Sequence, residues 1–255
     1  MDVLPGPTET TKSRQGWWSP RLRADVQVVR WGTAGTPLLL FPTAGGDAEE
    51  CERFLMLRAL APHLAEGRIR VYSVDSVSGR VWTDGTSSGA KRADTQIRFD
   101  AFVHSEVVPA IRADCRSRDV KIVTAGQSIG AFNALAALCR HPDDFATAIC
   151  MSGTYDLTGW MNGEHTLDFH YASPLHFLPY LDEGEQLAAL RDRFVVLAVG
   201  HGRAERPQNA WRMANVLGSK GIPNRVDAWG PEYPHDWPTW RAMLPRYVDE
   251  LIPAS

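Results

Sequence analysis

Apolar segments alternate with amphipathic segments through most of the chain. Short apolar or alternating runs predict strands at 24–31, 37–42, 68–75, 120–125, 145–151, 193–199 and 224–229. Apolar residues at helical spacing predict helices at 48–66, 93–115, 131–140, 186–192, 209–220 and 238–251. The Gly, Ser and Thr content of 76–91 predicts a loop, and 155–180 is expected to be irregular and aromatic.

This alternation predicts an α/β protein with a mainly parallel central sheet and helices on both faces. No internal repeat or Pro/Gly-rich linker divides the sequence, so we expect a single domain over 1–255. Within it, 155–185 is expected to form a small cap or a pocket-lining insertion. Pro109 lies inside the predicted helix 93–115 and is expected to kink or break it.

Composition narrows the possible partners. The 255 residues carry 27 Lys and Arg against 30 Asp and Glu, a net charge of −3, which disfavours nucleic acid as a partner. No apolar run is long enough to span a membrane, and the first residues lack the apolar region of a secretory signal, so we expect a cytoplasmic protein. The four cysteines show no C-x-x-C spacing and are expected to be free thiols. Neither a metal nor an organic cofactor is expected, and the oligomeric state stays open.

The strongest chemical signal is the segment Gly126-Gln-Ser-Ile-Gly130. It follows a predicted strand and precedes a predicted helix, which is the setting of a nucleophile elbow. Small residues two positions either side of the serine allow strand and helix to approach closely. Ser128 is therefore the candidate nucleophile, and the N-terminus of the following helix favours a developing anion beside it.

A serine nucleophile needs a base, and the base needs an acid that orients it. Of the eight histidines, His235 lies in the loop between the last predicted strand and the last predicted helix, where the chain order Ser, acid, His places the base. Glu205 is the only carboxylate in the loop after strand 193–199 and is the candidate acid. Asp156, after the preceding strand, remains the alternative.

Backbone N–H groups would complete the site. Ile129 follows the nucleophile, and either Thr43 or Ala44 lies in the loop after an early strand, so these are the candidate oxyanion-hole donors. Three further residues are expected to line the substrate pocket, namely Gln127, Trp82 and Tyr155.

Two segments together resemble the esterase family of α/β-hydrolases that includes esterase D-like S-formylglutathione hydrolases, feruloyl esterases and antigen 85 mycolyltransferases. They are the elbow 125–131 and the ending Pro234-His-Asp-Trp-Pro-Thr-Trp240. The resemblance implies an α/β-hydrolase fold with Ser128 as nucleophile, His235 as base and Glu205 as acid. The His-Gly opening of the oxyanion loop in esterase D-like members is replaced here by Phe41-Pro-Thr43, which argues against formylglutathione as the substrate.

The expected function is a serine carboxylic-ester hydrolase that acts on a small-molecule ester through an acyl-enzyme. An acyltransferase or thioesterase with the same triad is one alternative, and a non-catalytic binding protein of the same fold is another. Because the hydrolase core uses nearly the whole sequence, no separate lid domain is expected. We therefore predict an open site that favours small or extended esters.

Overall fold

The structure, a computed structural model, describes residues 11–254. Its strands form one mixed sheet of eight, in the order β1-β2-β4-β3-β5-β6-β7-β8. β1 and β2 pair antiparallel, as do β2 and β4, and all other neighbours pair parallel. The strands are β1 Lys12–Ser19, β2 Ala24–Trp31, β3 Thr36–Phe41, β4 Ile69–Val74, β5 Ile122–Gln127, β6 Phe145–Met151, β7 Phe194–Val199 and β8 Asn224–Ala228.

Helices cover both faces of this sheet. They are α1 Glu50–Arg53, α2 Met56–Ala59, α3 Ala61–Ala65, α4 Val77–Thr83, α5 Gly89–Phe102, α6 Val108–Asp114, α7 Ile129–Arg140, α8 Leu167–Ala172, α9 Pro174–Phe177, α10 Glu185–Arg191, α11 Pro207–Ser219 and α12 Trp237–Leu251. Residues of α5, α6, α7, α10 and α11 share one apolar core with one face of the sheet. The short helices α1 to α3 and the long α12 share another core with the opposite face. The predicted α/β fold with helices on both faces is confirmed.

Several element predictions were wrong in ways that bear on the site. The predicted loop 76–91 contains α4 and the first residues of α5. Ser78 and Gly79 are buried, and Trp82 is completely buried, so tertiary packing stabilises a seven-residue helix whose composition is typical of a loop. The predicted helix 48–66 is three short helices, and the left-handed φ of 63° at Leu55 separates the first two.

The predicted long helix 93–115 is also interrupted. A wider π-helical turn, Val103–Val107, separates α5 from α6, and Pro109 lies in the first turn of α6, where its missing N–H costs little. The segment 155–180 is not irregular throughout. It contains α8, α9 and two 3₁₀ turns, Thr158–Trp160 and Leu178–Tyr180. The edge strand β1 was not predicted, because its polar composition lacks the apolar alternation of a core strand.

No helix within residues 11–254 has the length and apolar character needed to cross a membrane. All four cysteines are free thiols. Burial raises the pKa of the thiols of Cys51, Cys139 and Cys150 well above the usual range, which keeps them in the unreactive protonated form.

Candidate active site

Ser128 lies at a sharp turn between β5 and α7. Its φ of 57° and ψ of −122° are strained for a residue with a side chain. A Cβ at position 126 would lie 2.2 Å from the carbonyl oxygen of Gly130, and one at position 130 would lie 2.4 Å from that of Phe41. Only glycine fits at both positions. The elbow predicted from the sequence therefore has its physical basis in these two close backbone approaches.

A cleft of about 320 Å³ opens beside this serine. It lies at the carboxyl ends of the parallel strands, where ligands bind in open α/β sheets. Its lining comes from several loops that follow these strands and consists of Ala44, Thr83, Ser128, Ile129, Ser152, Gly153, Thr154, Asp156, Trp160, Val199, Ala204, Glu205, Arg206, Asn209 and His235. The structure thus brings Ser128, Glu205 and His235 into one cleft, although the first and the last of them are more than 100 positions apart in the sequence.

His235 and Glu205 are neighbours in this cleft. The Nδ1 atom of His235 lies 3.7 Å from Oε2 of Glu205, and the Glu205 side chain is only 1% exposed. The backbone N–H of His235 donates to the carbonyl of Arg203, and its ring packs edge-on against Trp240 at a centroid distance of 5.2 Å. The loop 200–206 and the start of α12 therefore fix the imidazole from two sides.

Ser152 donates a hydrogen bond to the carboxylate oxygen of Glu205 other than the one nearest His235. Its Oγ donates to Oε1 of Glu205 at 2.5 Å and accepts from the indole Nε1 of Trp240 at 3.0 Å. The hydroxyl thus links Glu205 to the residue on which His235 packs. No motif in the sequence marks Ser152, although its partner Trp240 belongs to the segment 234–240 that resembles the esterase family.

Asp156, the alternative acid, has a different partner. Its Oδ2 pairs with Arg212 at 2.5 Å, and its Oδ1 accepts the backbone N–H of Thr158. Burial alone would raise the pKa of the Asp156 carboxyl, but the hydrogen bonds from Thr158 and Arg212 outweigh it and lower the pKa. Of the two carboxylates, Glu205 is the one that faces His235.

The two candidate oxyanion donors in the early loop differ sharply. The N–H of Thr43 donates to Oε2 of Glu50 at 2.7 Å, and its hydroxyl donates to Oε1 at 2.5 Å. The backbone N–H of Thr43 is therefore already used and cannot serve as an oxyanion donor. Ala44, by contrast, lines the cleft together with Ile129. Burial raises the pKa of the Glu50 carboxyl, and the hydrogen bonds from Thr43 offset this only in part. Glu50, which no pattern in the sequence marks, therefore fixes the loop after β3 that contains the candidate oxyanion donors.

The three predicted pocket residues do not line the cleft. Gln127, Trp82 and Tyr155 are 0%, 0% and 2% exposed. Trp82 donates its indole N–H to Gln96 inside a small apolar cluster, and Tyr155 belongs to the main core. Gln127 ends β5, Tyr155 follows β6 and Trp82 lies in α4 after β4, all on the cleft side of the sheet in chain order, but their side chains fill the interior. Trp160, whose ring lies 6.3 Å from that of Trp82, occupies the cleft wall instead.

One group of possible metal ligands lies away from this cleft. His104, His141 and Asp144 have ligand atoms within 4.8 Å of one another. His141 follows the last residue of α7, so the group lies at the opposite end of that helix from Ser128. Asp144 already pairs with Arg112 at 2.9 Å, and a guanidinium so close disfavours a cation there.

The comparisons with known proteins agree with this architecture. The solved structures it resembles include a ferulic acid esterase (TM-score 0.73, 13% identity, 96% of this chain and 99% of that chain covered). Another is the S-formylglutathione hydrolase of Staphylococcus aureus (TM-score 0.64, 15% identity, 98% and 99% covered). A third is MPT51 of Mycobacterium tuberculosis (TM-score 0.66, 16% identity, 96% and 98% covered). These similarities define an α/β-hydrolase fold.

The family follows from the sequence itself. Residues 68–251 match the model of the family described as "Putative esterase". Among curated proteins, none matches this chain. The match covers well over half of the sequence, so the chain belongs to this family and is a carboxylesterase-type serine hydrolase.

Proposed function

We propose that this protein hydrolyses carboxylic esters through a Ser128–His235–Glu205 triad and an acyl-enzyme intermediate. The observation that carries the proposal is the shared cleft, which is lined by Ser128 at the strained elbow and by a histidine that faces a buried carboxylate. Family membership supports ester hydrolysis, and the geometry supports the individual roles.

In the first half-reaction, the Oγ of Ser128 attacks the ester carbonyl while His235 takes the hydroxyl proton. The negative charge that forms on the carbonyl oxygen is stabilised by the N–H groups of Ile129 and Ala44, which both line the cleft. The C–O bond to the alcohol then breaks, and His235 gives its proton to the departing oxygen. Glu205 orients the imidazole and stabilises its charged form.

In the second half-reaction, water takes the place of the alcohol. His235 removes a proton from the water, whose oxygen attacks the acyl carbonyl, and the same proton returns to Ser128 Oγ as the acid leaves. An acyltransferase would use the same steps with a different acceptor. The described cleft is open to solvent along its rim, where Arg206 and Ala204 are exposed, and this favours water as the acceptor.

Labelling with a fluorophosphonate probe and hydrolysis of 4-nitrophenyl butyrate test the proposal together. We expect wild type to be labelled at Ser128 and to release butyric acid without an added acceptor. Ser128→Ala should lose both labelling and turnover. Labelling at another residue, or turnover that survives Ser128→Ala, would contradict the proposal. Faster acyl transfer to an added alcohol or thiol than to water would replace hydrolysis with transfer.

His201 provides a matched control for His235. It lies in the same loop as Glu205, but it is exposed and its Nδ1 lies 2.8 Å from the carbonyl oxygen of Trp229. We therefore expect His235→Ala to lower kcat by several orders of magnitude and His201→Ala to retain it. Equal losses in the two variants would argue that the loop, and not the imidazole of His235, matters for activity.

A further inference from the structure

The carboxylates of the cleft have partners within the protein, whereas its one arginine side chain has none within residues 11–254. Besides His235, the lining contains two carboxylates, Asp156 and Glu205, and one cation, Arg206. Asp156 pairs with Arg212, and Glu205 faces His235 and accepts from Ser152. Within residues 11–254, Arg206 has neither an ion pair nor a side-chain hydrogen bond. The cleft therefore presents one positive charge that no protein group neutralises.

Asn209 lies close to this charge in the chain and lines the same cleft. It is half-buried, and within the described part of the protein its side-chain amide has no hydrogen-bond partner. Arg206 immediately precedes α11 and Asn209 lies in its first turn, three positions later, so helix geometry places the two on neighbouring surface. The result is a pair of unused N–H donors, one charged and one neutral, on the wall of the cleft that holds Ser128.

The remaining wall offers little apolar surface to a substrate. Most of it comes from small side chains, and the larger apolar members are Ile129, Trp160 and Val199. A long alkyl chain would need a continuous apolar channel to exclude water from its length. A compact, polar substrate matches a cleft of about 320 Å³ with this lining.

We infer that the cleft accepts esters that carry a free carboxylate, which Arg206 and Asn209 hold while Ser128 attacks the ester carbonyl. This inference rests on the proposed function. A guanidinium donates two parallel hydrogen bonds to a carboxylate, and an amide N–H adds a third. One uncompensated positive charge balances one carboxylate, whereas a phosphate monoester would bring nearly two negative charges to a site that also contains Asp156.

Matched ester pairs test the inference. One pair puts the carboxylate in the acyl chain, with 4-nitrophenyl hydrogen adipate against 4-nitrophenyl hexanoate. The other puts it on the alcohol, with 3-carboxy-4-nitrophenyl butyrate against 4-nitrophenyl butyrate. Wild type should prefer the anionic member of at least one pair in kcat/KM, after subtraction of spontaneous hydrolysis. Arg206→Gln should lower that preference about tenfold, the low end for a charged hydrogen bond, because Arg206 is exposed.

Two further variants separate charge recognition from damage. Arg206→Lys should retain part of the preference, because it keeps the charge and loses the paired donors. Arg118→Gln changes net charge by the same amount at an exposed residue beyond the opposite end of β5, and it should leave the preference unchanged.

The outcomes distinguish the two proposals. Hydrolysis of the neutral esters with no preference for an anionic member in either pair overturns the inference and leaves the proposed function intact. An equal loss for both members in Arg206→Gln also overturns it, because the residue would then act on the triad and not on the carboxylate. If wild type hydrolyses none of the four esters, the proposed function fails and the inference falls with it.

Discussion

Removal of the Ser152 hydroxyl tests whether activity requires the hydrogen bond from Ser152 to the Glu205 carboxylate. In wild type this hydroxyl donates to Glu205 and accepts from Trp240. Ser152→Ala removes a single oxygen from a residue that is 3% exposed, so little else in the site should change. Two buried groups lose a partner, namely one oxygen of Glu205 and the indole N–H of Trp240.

The magnitude follows from these two losses. A hydrogen bond to a charged group contributes about 1.5–3 kcal/mol, and a buried N–H left without a partner costs about 1–3 kcal/mol. We therefore expect the variant to lose about 2.5–6 kcal/mol of unfolding free energy. If the hydrogen bond to Glu205 stabilises the transition state by its full contribution of about 1.5–3 kcal/mol, its loss lowers kcat/KM about 10- to 150-fold, since about 1.4 kcal/mol corresponds to a factor of ten.

Urea denaturation and hydrolysis of 4-nitrophenyl butyrate measure the two effects separately. Ser173→Ala is a matched control, because Ser173 is completely buried and its Oγ lies 2.8 Å from Nδ1 of His176, outside the cleft. It should lose stability and keep kcat/KM. Trp240→Phe keeps an aromatic ring beside His235 but removes the indole N–H together with one ring of a buried side chain, so we expect a loss of more than about 1 kcal/mol of unfolding free energy and a smaller effect on activity.

The result that would refute this reasoning is a destabilised Ser152→Ala variant whose kcat/KM stays within about twofold of wild type. Glu205 would then orient His235 without help, and Ser152 would be a packing residue only. A fall in kcat/KM of the same size in Ser173→Ala would contradict it as well, because activity would then follow global stability.

Three further predictions concern the acid, the oxyanion loop and the elbow. Glu205→Gln should lower kcat about a hundredfold or more, and Asp156→Asn should not; the reverse result in steady-state assays would make Asp156 the acid. Burial raises the pKa of the Glu50 carboxyl, so its ionisation costs more in the folded protein than in the unfolded chain. The unfolding free energy of Glu50→Gln relative to that of wild type should therefore increase as pH rises above about 4.3. Urea denaturation at acid and at neutral pH measures this difference, and a difference that does not change with pH would contradict the prediction. Gly130→Ala should cost at least about 1–3 kcal/mol in thermal or urea unfolding, because its Cβ would lie 2.4 Å from the carbonyl oxygen of Phe41; a neutral effect would mean that the elbow relaxes.

Local signals in the sequence are enough to predict the parallel part of the fold and the elbow. The buried strands are continuous apolar runs, and the glycines at 126 and 130 mark a turn that must be narrow. The apolar runs and the close approach of Gly126 to Gly130 involve residues near in the sequence, so a local pattern can reveal them, whereas the approach of Gly130 to Phe41 exists only in the folded chain. Helix α4 and the π-helical turn depend on distant packing instead, which explains why Trp82 was placed in a loop and is found in the core.

For the site, the elbow motif and the chain order together predicted three residues that the fold brings to one cleft, because the carboxyl ends of parallel strands meet at one edge of the sheet. Which side chains face that cleft was decided only by tertiary structure. Successive residues at a strand end point in different directions, and the sequence does not record which one meets solvent. Gln127, Trp82 and Tyr155 turn inward, while Trp160 and Arg206 face the cleft. The supporting contacts of Ser152 and Glu50 join residues whose proximity exists only after the chain has folded.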